Sequence, residues 1–152
     1  MAKPAKPGAA DGLALDNFLC FSIYSAGHAF NQFYRPLLDG IGLTYPQYLV
    51  MVTLWSTDNR TVKEVGQTLF LESNTLTPLL KRLEGLGYIA RTRDPDDERQ
   101  VRVRLTKDGK ALRAKAAAIP TCVAEAVGIS ADQAGKLHDQ LSAIRDRLLV
   151  KG

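Results

Sequence analysis

The stretch SNTLTPLLKRLEGLGYIARTRDPDDERQVRVRLTKDGK, residues 73–110, decides the fold. Leucines at positions 76, 79, 80 and 83 recur at helical spacing, and glycines follow at 85 and 87, where the C-terminus of a helix favours glycine. Residues 88–92 are typical of a short strand, residues 94–98 of a polar turn, and residues 100–105 alternate apolar and basic side chains as a half-buried strand does. The stretch therefore predicts a helix followed by a β-hairpin.

A shorter helix is predicted directly before this one. Thr61 and Glu64 form a capping box, in which each side chain accepts a hydrogen bond from the other residue's backbone N–H, and the helix that they open runs to about Phe70. Two short helices joined by a tight turn are a helix-turn-helix. With the hairpin added, and a preceding helix capped by Thr44, residues 44–105 predict a winged helix-turn-helix.

A long helix precedes this central part. Residues 13–34 carry apolar side chains at helical spacing. Asp16 and Asn17 are expected to cap its regular part, and Arg35 with Pro36 to end or kink it. We assign residues 13–43 to an N-terminal dimerisation and sensor helix.

Two predicted helices follow the hairpin, in residues 106–152. Thr106 is expected to cap an alanine-rich helix towards Val127, kinked at Pro120, and a capping box at residues 130–133 opens the last helix. The apolar stripes of the terminal helices are too wide for a monomer to cover, which favours a homodimer. The fold class is therefore mainly α with a small β-hairpin: a winged helix-turn-helix flanked by N- and C-terminal dimerisation helices.

Composition narrows the class of protein. Hydrophobic residues make up 45% of the 152, enough for a packed core, whereas residues 1–12 are rich in Pro, Gly, Ala and Lys and are expected to form a disordered tail. No secretory signal or membrane span is recognisable, so we expect a cytoplasmic protein without a membrane partner. The net charge of +4 permits an anionic partner without demonstrating one.

Polar and basic side chains collect at the predicted recognition helix and hairpin. At the helix start, hydroxyls and an amide could reach base edges in a major groove, and basic residues one to two turns later suit the phosphate backbone. In the hairpin, Arg99 could enter a narrow minor groove, held extended by Asp97. The alternatives are ordinary capping and a solvated, salt-bridged hairpin. The candidate DNA-binding residues are Ser73, Asn74, Thr75, Thr77, Lys81, Arg82, Arg91, Arg93, Asp97 and Arg99.

The residues from 13 to 149 resemble the MarR family of winged-helix repressors in the order of their elements. Residues 73–110 resemble that family's recognition helix and wing, and Asp97-Glu98-Arg99 matches its Asp-x-Arg wing motif. The resemblance implies a homodimer on a pseudo-palindromic double-stranded DNA operator, with recognition helices in consecutive major grooves.

The two cysteines, Cys20 and Cys122, are either inert core residues or redox-active. They lie 102 residues apart without a CxxC pair or a His/Cys cluster, so no metal or cofactor is expected. Taken alone, Cys20 fits a core residue best, although the N-terminus of a helix can stabilise a thiolate. Tyr24 shares its helix face, and Tyr34 and Tyr45 could reach it from a partner subunit if the first helices pack antiparallel.

The segment around Cys20, together with these tyrosines, resembles the organic-hydroperoxide-sensing OhrR branch of the MarR family. The resemblance implies that Cys20 is the peroxide-reactive residue in a pocket with Tyr24, Tyr34 and Tyr45. It also implies the two-cysteine type, in which Cys122 of the partner subunit resolves the oxidised Cys20 as a disulfide.

Three functions follow. The first is a repressor that releases its operator when an organic hydroperoxide oxidises Cys20. The second is a MarR-type repressor released by a small aromatic ligand, with the cysteines incidental. The third is a thiol peroxidase, which we disfavour because no cation near Cys20 in sequence could stabilise a departing oxygen anion and because the winged helix would be unexplained. We therefore expect no enzyme.

Overall fold

The computed structural model describes residues 12–150, so most of the predicted N-terminal tail lies outside the described residues. The chain divides into two compact units, one up to Ala116 and one from Ala117 onwards. The elements of the first unit are α1 (Leu19–Asp39), α2 (Tyr45–Ser56), β1 (Arg60–Thr61), α3 (Val62–Leu69), α4 (Ser73–Gly85), β2 (Ile89–Arg93), β3 (Val101–Leu105) and α5 (Lys107–Ala116). Those of the second are α6 (Ile119–Val127) and α7 (Ala131–Val150).

Helix α1 differs from the prediction at both ends. A short 3-10 helix occupies residues 15–17, so Asp16 and Asn17 do not cap α1, whose N-cap is Phe18. At the other end, the helix continues through Pro36 to Asp39. Leu38 in this last turn is 1% exposed, and its burial stabilises a turn that proline alone would disfavour.

The helix-turn-helix is built as the capping signals predict. Thr61 Oγ1 accepts from Glu64 N–H at 3.1 Å, and Glu64 Oε2 accepts from Thr61 N–H at 2.9 Å. Phe70 adopts a left-handed conformation (φ 56°) at the turn, which Leu71 N–H closes by donating to Gly66 O at 2.9 Å. The inner face of α4 packs into the core through three of its own side chains that are at most 1% exposed: Leu76, Leu80 and Leu83.

The predicted hairpin is part of a three-stranded antiparallel sheet in the order β1-β3-β2. Arg91 pairs with Val103 across the hairpin, and Arg60 pairs with the same residue from the other side. Strand β1 was not predicted, because a two-residue strand has no periodicity to detect. Nearby, Asp58 Oδ1 accepts from Leu105 N–H at 2.9 Å and ties the end of α2 to β3.

The predicted alanine-rich helix is two helices. Helix α5 ends at Ala116, and α6 begins at Ile119 with Pro120 in its first turn, a position where proline's missing N–H has no consequence. The second predicted capping box is confirmed, since Ser130 Oγ accepts from Gln133 N–H at 3.1 Å. In the part of the chain described, no single helix is long and apolar enough to cross a membrane; only the bent pair Lys107–Val127 and Ala131–Val150 passes jointly, on length and composition alone.

Candidate DNA-binding surface and redox site

The N-terminal turn of α4 presents polar side chains at the surface. Ser73, Asn74 and Thr75 are exposed, as the sequence predicts for groups that could reach a base edge. Thr77 is half-buried, and its hydroxyl donates to Ser73 O at 2.7 Å, so that hydroxyl hydrogen is used within the helix. Lys81 and Arg82 lie exposed further along α4.

The tip of the wing carries the ion pair predicted from its sequence. Asp97 Oδ1 accepts from Arg99 N–H at 3.2 Å and from Arg99 Nε at 3.1 Å. The Arg99 side chain is 91% exposed. A carboxylate two residues away thus orients an arginine that extends into solvent at the tip.

The other two predicted wing arginines are engaged within the protein. Arg91 donates three hydrogen bonds to the Glu84 carboxylate, from its backbone N–H at 3.0 Å, Nε at 3.4 Å and Nη2 at 3.3 Å. These bonds hold the pKa of Glu84 below its ordinary value and tie β2 to the end of α4. Arg93 Nη1 donates to Glu98 O at 3.4 Å. A contact of Arg91 or Arg93 with DNA stays a prediction.

A second ion pair, at the base of the wing, was missed. Asp94 is 5% exposed, and its Oδ2 accepts from Arg102 Nε at 2.8 Å while Oδ1 accepts from Asp96 N–H at 2.8 Å. The Asp96 N–H and the Arg102 guanidinium hold the pKa of Asp94 below its ordinary value, against the opposing effect of burial. Arg102 Nη1 also donates to Asn59 O at 3.0 Å, so one guanidinium joins the wing to the residue before β1.

The two cysteines lie in different units of the fold and are both free thiols. Cys20 is exposed as the second residue of α1, and Cys122 is half-buried in α6. Tyr24, one turn after Cys20, is 72% exposed and stacks on His28 with ring centroids 6.5 Å apart. Within one protomer, the part of the predicted pocket that contains Cys20 and Tyr24 is therefore exposed to solvent.

The other predicted tyrosines meet at the opposite end of α1. Tyr34 lies 4.7 Å from Tyr45 and 5.9 Å from Tyr48 between ring centroids, and Tyr45 lies 6.5 Å from Tyr48. We call these three residues the tyrosine cluster. Tyr48 was not predicted as a site residue, although it follows Tyr45 by three positions and so shares its helix face.

Burial raises the pKa values of the tyrosine cluster, whose phenols are un-ionised at neutral pH even at the ordinary tyrosine pKa. Burial, together with the neighbouring Tyr45 and Tyr48, raises the pKa of Tyr34 from 10.0 to about 12. Burial also raises the pKa of Tyr45 and, with Tyr45 beside it, that of Tyr48. Among the described residues, no hydrogen bond joins any of the three hydroxyls to another group. The cluster therefore offers phenol O–H donors to an anion.

A cavity of about 250 Å³ adjoins the cluster where α1 ends and α2 begins. Its lining combines an apolar floor with one basic and one acidic side chain, and consists of Asn31, Arg35, Leu38, Asp39, Leu43, Thr44, Tyr45 and Pro46.

Residues 32–115, from the second half of α1 to the end of α5, match the family described as transcriptional regulator SarA/Rot. The chain belongs to the SarA/Rot family. The matched range contains the whole winged helix-turn-helix of this SarA/Rot-family protein, together with the tyrosine cluster.

Relatives of this SarA/Rot-family protein cover most of its length. It is 47% identical to the HTH-type transcriptional regulator TtmR of Methylorubrum extorquens over 95% of this chain and 74% of TtmR. It is 42% identical to the organic hydroperoxide resistance transcriptional regulator of Bacillus subtilis, over 88% and 89% of the two chains. These relatives are regulators of transcription and not enzymes.

AbfR of Staphylococcus epidermidis has a similar structure. Its crystal structure matches with a TM-score of 0.76 at 39% identity, over 89% of this chain and 93% of AbfR. AbfR has also been solved reduced and bound to DNA (TM-score 0.75) and in a disulfide form (TM-score 0.64). The fold and these relatives identify the SarA/Rot-family protein as a DNA-binding transcriptional regulator of the MarR/OhrR type.

Proposed function

We propose that this regulator is a homodimeric repressor that binds a pseudo-palindromic operator when reduced and releases it when an organic hydroperoxide oxidises Cys20. The observation that carries the proposal is the separation of two complementary half-sites along α1. An exposed thiol lies at one end, and a cluster of un-ionised phenols lies about 21 Å away at the other. Two antiparallel copies of α1 would bring each thiol to the partner's phenols.

Exposed apolar side chains support the dimer. On α1, five large apolar residues are 39–60% exposed: Leu19, Phe21, Ile23, Phe30 and Phe33. On α7, a further four are 38–68% exposed: Leu137, Leu141, Leu148 and Leu149. Contiguous apolar surface of this kind marks an interaction face, and a second copy covers both faces by the same symmetry.

On the proposed operator, Ser73, Asn74 and Thr75 contact base edges in the major groove. Lys81 and Arg82 contact phosphates, which positions the helix without selecting a sequence. Arg99, oriented by Asp97, enters the minor groove. The arginines engaged within the protein stiffen the wing that carries it.

The proposed chemistry begins with the phenols donating hydrogen bonds to the thiolate of Cys20 from the partner subunit. The thiolate sulfur attacks the terminal peroxide oxygen, the O–O bond breaks, and an alkoxide leaves and takes a proton from solvent to become an alcohol. Cys20 is then a sulfenic acid. The thiolate of Cys122, from the subunit that does not carry this Cys20, attacks its sulfur, an intersubunit disulfide forms, and hydroxide leaves as water after protonation.

The name of one relative favours this chemistry over release by a small aromatic ligand. The Bacillus relative is named for organic hydroperoxide resistance. A disulfide requires Cα atoms about 4.4–6.8 Å apart, so if Cys20 and the partner's Cys122 start farther apart, forming the bond must move the helices that carry them.

A gel-shift series tests the proposal. The reduced protein should bind DNA from upstream of its own gene, cumene hydroperoxide should release it, and dithiothreitol should restore binding. Full release of Cys20→Ser by the same peroxide would contradict the sensor role of Cys20. Cys122→Ser should still react with peroxide but form no intermolecular disulfide on a non-reducing gel.

A further inference from the structure

Trp55, the single tryptophan of the chain, joins the tyrosine cluster to the start of α5. Its ring meets that of Tyr48 edge-on, with centroids 6.4 Å apart and planes at 69°. Its Nε1 donates to the carbonyl of Gly109 at 2.8 Å, across 54 residues of sequence. Trp55 therefore contacts the cluster with its ring and a distant backbone with its one polar atom.

At the cluster end, Tyr48 contacts both other tyrosines. It is 6% exposed and lies 5.9 Å from Tyr34 and 6.5 Å from Tyr45 between ring centroids. Because Tyr48 is itself buried, a shift of the Tyr34 or Tyr45 ring towards it displaces Tyr48, and Tyr48 then displaces the edge of Trp55.

At the other end, Gly109 lies in a tight junction between α5 and the wing. A Cβ on Gly109 would overlap the backbone carbonyl of Tyr88, the residue directly before β2. Thr106 fastens the same junction: its hydroxyl accepts from Gly109 N–H at 3.0 Å and donates to Gly87 O at 2.6 Å, and its backbone N–H donates to Tyr88 O at 3.0 Å. Movement of Gly109 is thus transmitted to the base of the wing.

We propose that Trp55 is the positioning residue through which a rearrangement of the tyrosine cluster reaches the wing. The inference rests on the proposed function, since it needs oxidation of Cys20 to disturb the cluster. The cluster pushes on Tyr48, the Trp55 ring follows, and its hydrogen bond moves the Gly109 carbonyl with it.

Fluorescence of Trp55 tests the first half of this inference in the full-length protein. Organic hydroperoxide should change the emission of the wild-type protein with the same time course as operator release. Cys20→Ser should show no change. Unchanged wild-type emission during complete operator release would overturn the inference.

Trp55→Phe tests the second half, because phenylalanine keeps an aromatic ring beside Tyr48 and lacks the N–H donor. We expect the reduced variant to bind the operator within about threefold of wild type and Cys20 to be oxidised at the wild-type rate, as followed by mass spectrometry. The loss of operator affinity on oxidation should then be about five- to tenfold smaller, the factor that one hydrogen bond supplies. Tyr48→Phe and Tyr48→Leu both lack the phenol hydroxyl, and only Tyr48→Phe keeps a ring beside Trp55. At equal extents of Cys20 oxidation, the loss of operator affinity should therefore be smaller in Tyr48→Leu than in Tyr48→Phe.

Two results would contradict the role of Trp55. One is wild-type release by oxidised Trp55→Phe. The other is an equal loss of affinity in its reduced and oxidised forms, which would make Trp55 a packing residue only. Failure of the proposed function is a different result: the wild-type protein itself would keep its operator after oxidation, or Cys20→Ser would release it.

Discussion

The substitution Gly66→Ala tests how tightly the helix-turn-helix is built. A Cβ at this position in α3 would lie 2.8 Å from the backbone oxygen of Leu71 and 3.6 Å from Cδ2 of Leu76. The backbone of Leu71 cannot rotate away as a flexible side chain could, because its N–H donates to the carbonyl of Gly66 itself. Relief of the overlap therefore requires the turn before α4 to move.

Two opposing contributions set the change in the free energy of unfolding caused by Gly66→Ala. To reach ordinary contact at 3.4 Å the turn must shift by about 0.6 Å, and overpacking of this kind costs about 1–3 kcal/mol. Alanine is favoured over glycine inside a helix by about 1 kcal/mol. Gly66→Ala should therefore range from neutral to about 2 kcal/mol less stable than wild type.

Gly135→Ala is the matched control, because this glycine is also inside a helix. A Cβ added there would meet no heavy atom within 4 Å beyond the neighbouring backbone of its own helix. It lies on a face of α7 away from Leu137 and Leu141. The difference between the two variants cancels the helix-propensity term and leaves the clash, about 1–3 kcal/mol. At equal protein concentration, Gly66→Ala should melt roughly 2–12 °C below Gly135→Ala by circular dichroism.

The same pair of variants separates stability from DNA binding. Gly66→Ala should weaken binding to the proposed operator, because α4 begins two residues after Leu71, and it should leave the oxidation of Cys20 unchanged. Equal melting temperatures for the two variants would refute the reasoning, since the turn would then have room for a methyl group.

Three further predictions concern the wing and the cluster. Arg99→Ala should weaken operator binding about tenfold, measured by filter binding. The control Arg145→Ala removes an arginine in α7 that is likewise paired with a neighbouring aspartate, and it should leave operator binding unchanged. Equal losses of affinity in the two variants would contradict the minor-groove role of Arg99. Because the folded-state pKa of Tyr34 is raised to about 12, the stability that Tyr34 contributes is complete below pH 10 and is lost as the pH rises towards 12. In alkaline unfolding curves, Tyr34→Phe should therefore lose less stability than wild type over this pH range. Identical curves for the two proteins would contradict the raised pKa. Because the pKa of Asp94 is lowered, the stability that this carboxylate contributes is present above the ordinary aspartate pKa of 3.8 and is lost as the pH falls below that value. In acid unfolding curves, Asp94→Asn should therefore not show this loss of stability below pH 3.8.

Local signals predicted the fold well wherever the deciding contacts are close in sequence. The capping boxes at Thr61 and Ser130 each join residues three apart, and both form as expected. Strand β1 and the last turn of α1 depend on distant partners instead: Val103 pairs with Arg60, and burial in the core holds Leu38. No pattern in the sequence near these elements records those contacts.

The same difference between contacts that are close in sequence and contacts that are distant applies to the ion pairs of the wing. Asp97 and Arg99 are two residues apart, and their pairing could be predicted. The pair of Asp94 and Arg102 spans the hairpin and continues to Asn59, 43 residues from Arg102. In sequence these residues belong to an acidic turn and to a strand with alternating basic residues, both of which suggest exposed charges.

The composition of the tyrosine cluster suggests how oxidation could drive movement in the proposed dimer. These phenols are neutral at pH 7, and burial raises their pKa values further, so they stabilise an anion by donating hydrogen bonds and gain much less from a neutral acceptor. When Cys20 of the partner subunit changes from thiolate to disulfide, that anion is lost. In a dimer that closes over the cluster, each hydroxyl that is cut off from water and left without an acceptor then costs about 1–3 kcal/mol. Two or three such groups together cost about 2–9 kcal/mol, which matches or exceeds the coupling free energy of about 1–3 kcal/mol that is typical of allosteric proteins. Burial of the tyrosines, the feature that makes them good donors to a thiolate, would therefore also make the oxidised arrangement unstable.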